Sequence, residues 1–76
     1  MPHVIVKLVA GRSETQKQLL ADGLARAVMT ALHSDADAVS VAIEEVRLED
    51  WNETVYRPEI IGKMDRVYKK PGYNLL

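Results

Sequence analysis

The sequence contains no cysteine and only two histidines among its 76 residues. Without cysteine, the chain can form no disulfide, no thiolate metal site and no cysteine nucleophile. The two histidines, His3 and His33, are too few and too far apart in the sequence to indicate a metal site. We therefore expect a protein that binds no metal and uses no cofactor.

A basic excess and a long apolar run are absent as well. The formal net charge of −1 and the isoelectric point near 6.1 argue against a nucleic-acid partner. No segment approaches the roughly 20 apolar residues of a membrane span. The N-terminus does not show the basic region, apolar stretch and cleavage site of a secretory signal. These features predict a soluble cytoplasmic protein with no nucleic acid and no membrane as partner.

A strand, a helix and a second strand are predicted in that order. Residues 3–9, HVIVKLV, are β-branched and apolar, as in a strand that is buried on two sides. Ser13 and Gln16 have the spacing of a capping box, so a helix begins there, and its apolar periodicity ends near His33. A second strand follows over Val39–Val46. A long crossover between two strands predicts an α/β fold, a βαβ unit with parallel strands.

The remaining residues have a weaker pattern. Asp50 and Glu53 predict a short capped helix, DWNETVY, that stops before Pro58. Residues 58–76 contain prolines and glycines and are predicted to form a turn-rich tail that lies against apolar surface. The length predicts a single domain, residues 1–76.

Such a short chain is expected to need a partner subunit. Its core is marginal without disulfides or metal, and a two-stranded sheet is marginal in water. Two copies that pair edge to edge would form a four-stranded sheet with both helices on one face. This pairing also removes exposed strand edges, so we predict a homodimer.

The common catalytic motifs GxSxG, HExxH, the P-loop and GxGxxG are absent. Pro2 remains, behind an initiator methionine. A free N-terminal proline is a secondary amine, and an unperturbed α-amino group titrates at about 7.7–8.0. An apolar pocket and a nearby cation would lower this pKa. A neutral amine could then accept and return a proton beside a carbonyl.

Two further residues are candidates for binding a substrate. Arg12, in the turn after the first strand, could hold a carboxylate bidentately, and Trp51 could supply an apolar wall. Each candidate also has a structural interpretation. Pro2 could merely start a strand, Arg12 could be a solvated charge, and Trp51 could pack in the core or at a dimer interface.

The chain resembles the 4-oxalocrotonate tautomerase family over about residues 2–51. The similarity lies in the segments PHVIVKLVAGRSETQKQLLADGLARAVMTAL and VSVAIEEV and in the following DW. The tail segments VYRPEI and VYKKPGY resemble the small dimeric tautomerases that act on phenylpyruvate enol. In short members, dimers assemble further into hexamers, and the long tail here favours a dimer.

The resemblance implies a function for each candidate. The catalytic N-terminal proline falls on Pro2, the substrate-binding arginine on Arg12 and the active-site aromatic on Trp51. The second-strand arginine of the founding enzyme falls on Ser40, which disfavours the dicarboxylate 2-hydroxymuconate. Strand alternation points the side chain of His3 away from that of Pro2.

These features predict a keto–enol tautomerase for small 2-oxo acids such as phenylenolpyruvate. The alternative is a non-catalytic homodimeric module that kept the scaffold.

Overall fold

The computed structural model describes all residues, 1–76. The chain forms two compact units, Met1–Glu45 (the N-terminal unit) and Val46–Leu76 (the C-terminal unit). The prediction of one domain over residues 1–76 stays a prediction. The main elements are strand β1 (His3–Val9), helix α1 (Glu14–Leu32), strand β2 (Ser40–Val46) and a π-helix (Asn52–Ile61). Short 3₁₀ turns cover Ala36–Ala38, Leu48–Asp50 and Met64–Arg66.

Strands β1 and β2 form a parallel two-stranded sheet, which confirms the predicted βαβ unit. The Ser40 N–H donates to the Pro2 carbonyl oxygen at 3.2 Å, at the start of both strands. Further along, Lys7 Nζ lies 3.9 Å from Glu44 Oε1. Strand β2 begins one residue later than predicted, because the Val39 N–H closes a 3₁₀ turn onto Ala36 O at 3.2 Å.

The start of α1 confirms the predicted capping box. Ser13 Oγ accepts a hydrogen bond from the Gln16 N–H at 3.1 Å, and Gln16 Oε1 accepts one from the Ser13 N–H at 2.9 Å. Both bonds satisfy backbone donors that have no partner within the helix. The preceding turn contains Gly11 at φ 133°, a conformation that side chains with a Cβ atom rarely adopt. The chain can therefore turn sharply from β1 into α1.

The other end of α1 lies at Leu32, as the pattern predicted. His33 follows in the left-handed conformation, at φ 54° and ψ 41°. The Ser34 N–H donates to Met29 O at 3.3 Å, so a carbonyl of the last turn gains a partner.

Helix α1 packs on one face of the sheet. The odd-numbered side chains of β2 point toward it, since Lys17 Nζ lies 2.7 Å from Glu45 Oε1. A cleft of about 230 Å³ is lined by Glu14, Lys17, Gln18 and Ala21 of α1 and by Val41 and Ile43 of β2. The even-numbered side chains of β2 consequently lie on the opposite face. No residue of the N-terminal unit is fully buried.

The C-terminal unit corrects the predicted short helix. A 3₁₀ turn at Leu48–Asp50 leads into the π-helix, which has no side-chain cap and continues through Pro58 to Ile61. In an α-helix the ring of Pro58 would clash with the carbonyl four residues back. A π-helix bonds five residues back instead, as the Gly62 N–H does to Arg57 O at 2.8 Å. The helix therefore does not stop before proline.

The π-helix ends at Gly62, whose backbone lies close to the carbonyl group of Pro58. A Cβ atom at this position would lie 2.6 Å from the carbonyl oxygen of Pro58, closer than side-chain carbons come to backbone oxygens. The π-helix also contributes the two buried residues of the chain, Val55 and Tyr56.

The predicted packing of the tail is observed within the C-terminal unit. Trp51 is half-buried, and its Nε1–H donates to Tyr73 Oη at 3.0 Å. The ring of Tyr73 lies 5.4 Å from the ring of Tyr56, at an angle of 37°. Asn52 Nδ2 donates to Leu75 O at 3.4 Å. The last residues thus fold back over the beginning of the π-helix.

The ion pair between α1 and β2 predicts a pH dependence of stability. Hydrogen bonds to Glu14 and Glu45 raise the pKa of Lys17, and the bond from Lys17 lowers the pKa of Glu45 below its ordinary 4.5. A lowered folded-state pKa stabilises the fold above the unfolded pKa, and this contribution is lost as the pH falls through the folded value.

Glu45→Gln should therefore reduce the free energy of unfolding at neutral pH, and the difference from wild type should shrink as the pH falls below 4.5, the ordinary pKa of a glutamate. Urea denaturation at several pH values measures this difference. Glu53→Gln, which changes an exposed carboxylate, is the control and should show no such pH dependence. If Glu45→Gln lowers the free energy of unfolding equally at neutral and at acidic pH, the ion pair with Lys17 is not the source of the pH dependence.

Tyr73→Phe tests the packing around Trp51. The change keeps the ring next to Tyr56 but removes the oxygen that accepts from Trp51, so the free energy of unfolding should fall by about 0.5–1.5 kcal/mol. Trp51 is the single tryptophan, so the tryptophan fluorescence of the protein reports on this residue alone. Its emission maximum should shift when the hydrogen bond to Tyr73 is lost. Tyr68→Phe is the matched control, because Tyr68 is fully exposed. Identical spectra and stabilities for the two variants would refute this role of Tyr73.

Candidate active site

Pro2 lies directly before β1 and is half-buried. Its carbonyl oxygen accepts the hydrogen bond from the Ser40 N–H, which ties it to the start of β2. The side chain of Met1 is fully exposed. Pro2 thus has a fixed position, and the bond that joins it to Met1 lies at the surface.

Arg12 lies at the other end of β1, in the turn before α1. Its side chain is exposed and makes no ion pair within the chain. The seven residues of β1 span about 23 Å at about 3.3 Å per residue. One copy of the chain therefore separates Arg12 from Pro2 by more than the length of a small oxo acid.

Trp51 belongs to the C-terminal unit, between the 3₁₀ turn at Leu48–Asp50 and the π-helix. The hydrogen bond to Tyr73 orients its indole ring. The N–H edge of the indole ring is therefore bound to a residue of the C-terminal tail.

His3 and Ser40 form a contact that sequence reasoning missed. His3 Nδ1 lies 2.6 Å from Ser40 Oγ, on neighbouring strands and beside Pro2. Strand alternation predicts that the side chains of His3 and Pro2 point to opposite faces, but it does not identify the residue across from His3. Only the register of β2 against β1, with the Ser40 N–H on Pro2 O, brings these two residues together.

The structure contains neither a metal-binding cluster nor a helix that could span a membrane. No group of three or more histidine, aspartate or glutamate side chains is arranged to hold a metal ion. None of the helices has the length and apolar character that crossing a membrane requires.

Comparison with known proteins identifies relatives along the whole chain. Residues 2–54 match the family model described as "Tautomerase enzyme". A protein of Xylella fastidiosa named "Probable tautomerase" is 50% identical over 76 residues, which cover 100% of this chain and 93% of the relative. "Tautomerase PptA" of Cronobacter sakazakii is 40% identical over 99% of this chain and 100% of its own length.

A solved structure shares the fold. The crystal structure of TomN, described as a 4-oxalocrotonate tautomerase homologue in the tomaymycin biosynthetic pathway, superimposes with a TM-score of 0.64. It is 34% identical and covers 66% of this chain and 77% of its own chain. The resemblance inferred from the sequence is thereby confirmed. The chain belongs to the tautomerase family and is an isomerase that interconverts keto and enol groups.

Proposed function

We propose that the chain interconverts the enol and keto forms of small 2-oxo acids such as phenylenolpyruvate, with the nitrogen of Pro2 as general base. The position of Pro2 carries this proposal. Its carbonyl is bound to Ser40, while Met1 is fully exposed at the surface. Removal of Met1 would leave a free secondary amine on a residue that the sheet already holds in place.

The reaction needs only one proton-transfer group. The neutral amine of Pro2 takes the proton of the enol hydroxyl and returns a proton to the carbon atom of the former double bond. The oxygen loses one proton and the carbon gains one, so the product is an isomer of the substrate. An amine near its own pKa can serve as acid and as base in this cycle.

A second copy of the chain would supply Arg12 to this site. A four-stranded sheet with both α1 helices on one face requires a two-fold axis perpendicular to the sheet, so the strands of the two copies run antiparallel. If the β1 strands pair, the end of one strand lies beside the start of the other. Arg12 of the second copy then lies near Pro2, where it can bind the substrate carboxylate.

The apolar surface of α1 also supports a homodimer. Leu19, Leu20 and Leu32 are 65%, 38% and 62% exposed, and the N-terminal unit has no fully buried residue. Because this unit buries none of its residues fully, a second copy that covers part of its surface would stabilise it. A homodimer bound to a small-molecule 2-oxo acid is our proposal for the active state. The cytoplasmic location stays a prediction.

Trp51 is proposed to form an apolar wall for the substrate, as the resemblance implies. Its half-buried indole ring is oriented by Tyr73, so it can present a rigid aromatic surface. With the neutral Ser40 in place of an arginine, these residues favour a monocarboxylate with an aromatic or apolar end.

The state of the N-terminus tests the proline mechanism. Turnover of phenylenolpyruvate, followed by its ultraviolet decay, should rise in proportion to the fraction that has lost Met1, because an acylated proline nitrogen has no basic lone pair. Treatment with methionine aminopeptidase varies this fraction, and mass spectrometry measures it. Pro2→Ala should retain a weaker primary-amine base and a residual rate.

A chain with extra residues before Met1 is the control, since the aminopeptidase cannot free its proline. If protein that fully retains Met1 turns over the substrate as fast as processed protein, Pro2 is not the base.

Arg12→Ala tests carboxylate binding. The contact exists in both the ground state and the transition state, so KM should rise by about tenfold to a hundredfold while kcat changes little. This range corresponds to a charge-assisted hydrogen bond of about 1.5–3 kcal/mol. Unchanged kinetics would leave Arg12 as a solvated charge.

Mixed dimers test whether the site is shared. In a dimer of one Pro2→Ala chain and one Arg12→Ala chain, one site carries both changes and the other carries neither. Refolding an equal mixture should restore about a quarter of the wild-type sites. Rates are compared well below KM, where Arg12→Ala is slow, and refolded Pro2→Ala alone and refolded Arg12→Ala alone are the controls. Light scattering verifies the dimer mass. Mixed dimers with no recovered activity would show that Arg12 does not complete the site of another copy.

A further inference from the structure

Trp51 is held both at its backbone and at the far edge of its ring. Its backbone N–H donates to Leu48 O and closes the 3₁₀ turn, and its φ of −56° and ψ of −46° continue into the π-helix. Two rotatable bonds then remain in the side chain, so a hydrogen bond at the far edge of the indole can select one orientation. The bond from Trp51 Nε1–H to Tyr73 Oη, at 3.0 Å, lies at that edge.

Tyr73 itself lies in a segment without regular secondary structure, and its ring is fixed by packing. The centre of the ring lies 5.4 Å from that of Tyr56, at an angle of 37°, which is within the range of favourable aromatic pairs. Tyr56 is only 3% exposed and belongs to the core of the C-terminal unit. The hydroxyl that binds Trp51 is therefore carried by a ring that packs against a buried residue.

The residues after Tyr73 add two further bonds. Leu75 O accepts from Asn52 Nδ2 at 3.4 Å, which ties the tail to the residue after Trp51. The Leu76 N–H donates to Asn74 Oδ1 at 2.9 Å, so the last residues are also bonded to each other. The tail thus contacts the beginning of the π-helix through both its side chains and its backbone.

A ring that is already held binds a ligand more tightly than a ring that is free to change its rotamer. The free ring loses conformational entropy when a ligand packs against it, and this loss weakens binding. The advantage of the held ring exists only for a ligand that touches it. Tyr73 should therefore favour ligands with a flat apolar end that packs against the indole of Trp51.

We propose that Tyr73 is a positioning residue that holds the indole ring of Trp51 in one orientation, and that the C-terminal tail thereby determines the preference for 2-oxo acids with an aromatic end. This inference rests on the proposed function, in which Trp51 forms an apolar wall for the substrate. Tyr73 acts through Trp51 and takes no part in the proton transfer.

Two 2-oxo acids that differ only by a phenyl ring, phenylpyruvate and pyruvate, test the proposal. Exchange of their C3 hydrogens in deuterium oxide, followed by NMR, measures the tautomerisation of both in protein that mass spectrometry shows to be free of Met1. Tyr73→Phe should raise KM for phenylpyruvate by about threefold to tenfold and leave kcat unchanged, because a contact with the wall is made equally in the ground state and the transition state. Both constants for pyruvate should stay at their wild-type values.

This pattern differs from that of a purely structural role. A loss of folded protein would lower kcat for both acids by the same factor and would leave the ratio of their KM values unchanged. Tyr68→Phe, at a fully exposed tyrosine, is the matched control and should keep all wild-type constants.

The motion of the ring can be measured directly. Trp51 is the single tryptophan, so time-resolved fluorescence anisotropy follows this indole alone. Tyr73→Phe should add a picosecond-to-nanosecond decay component that wild type and Tyr68→Phe lack. Unchanged anisotropy together with an unchanged KM for phenylpyruvate would overturn the positioning role.

Trp51→Phe removes the same hydrogen bond from the other side and decides the question if Tyr73→Phe does not fold. It keeps an aromatic ring but has no N–H, so KM should rise for phenylpyruvate and not for pyruvate. In this background Tyr73→Phe should raise KM no further, since the bond is already absent. A further rise would show that Tyr73 does not act through Trp51.

The outcomes separate this inference from the proposal on which it rests. If Trp51→Ala raises KM for phenylpyruvate and Tyr73→Phe does not, the wall stands and the role of Tyr73 is overturned. If Trp51→Ala leaves this KM unchanged, the wall itself is wrong, and the inference falls with it. A Pro2→Ala variant as fast as wild type would overturn the proline base, whereas the ratio of the two KM values would still report on Tyr73.

Discussion

The candidate site depends on the register between the two parallel strands. The hydrogen bond from the Ser40 N–H to Pro2 O, at 3.2 Å, sets which residues of β1 and β2 are neighbours. His3 then lies across from Ser40, and Lys7 lies across from Glu44. A slip by one residue would move every side chain of β2 to the other face. It would put a valine beside His3 and remove the polar group next to Pro2.

Packing against α1 is what makes this register stable. Val41 and Ile43 line the cleft under the helix, and Lys17 binds Glu45 at 2.7 Å. After a one-residue slip these apolar side chains would face away from α1, and Ser40 and Glu44 would face it. The contacts that hold the helix on one face of the sheet thus also determine the chemistry available on the other face.

Local patterns predicted the N-terminal unit well because its elements depend on residues close in sequence. The capping box of Ser13 and Gln16 spans three residues, and β1 and α1 follow from periodicities of two and 3.6. The π-helix was missed because its bonds span five residues and its end depends on Gly62 meeting Pro58. In an α-helix, Pro58 would end the helix because its ring clashes with the carbonyl four residues back.

The same distinction applies to the candidate site. The chemistry of the single residues Pro2, Arg12 and Trp51 makes them candidates. The contact of His3 with Ser40, in contrast, joins positions 37 residues apart and follows only from the strand register. Likewise, the bond of Trp51 to Tyr73 joins positions 22 residues apart through the fold of the tail. Residue type alone indicates which chemistry is possible, but the neighbours that orient each group are set by tertiary structure.

The parallel topology connects the stability of the fold to its proposed activity. A right-handed βαβ unit places the turn that contains Arg12 at the far end of β1 from Pro2, about 23 Å away. A small 2-oxo acid is too short to contact Pro2 and Arg12 of the same copy at once. The second copy that would bring an arginine to Pro2 would also add buried surface to the N-terminal unit, which has no fully buried residue as a single copy. Under the proposed function, one association event therefore buries surface of this unit and completes the site, so a monomer would lack both a stable core and a carboxylate-binding group.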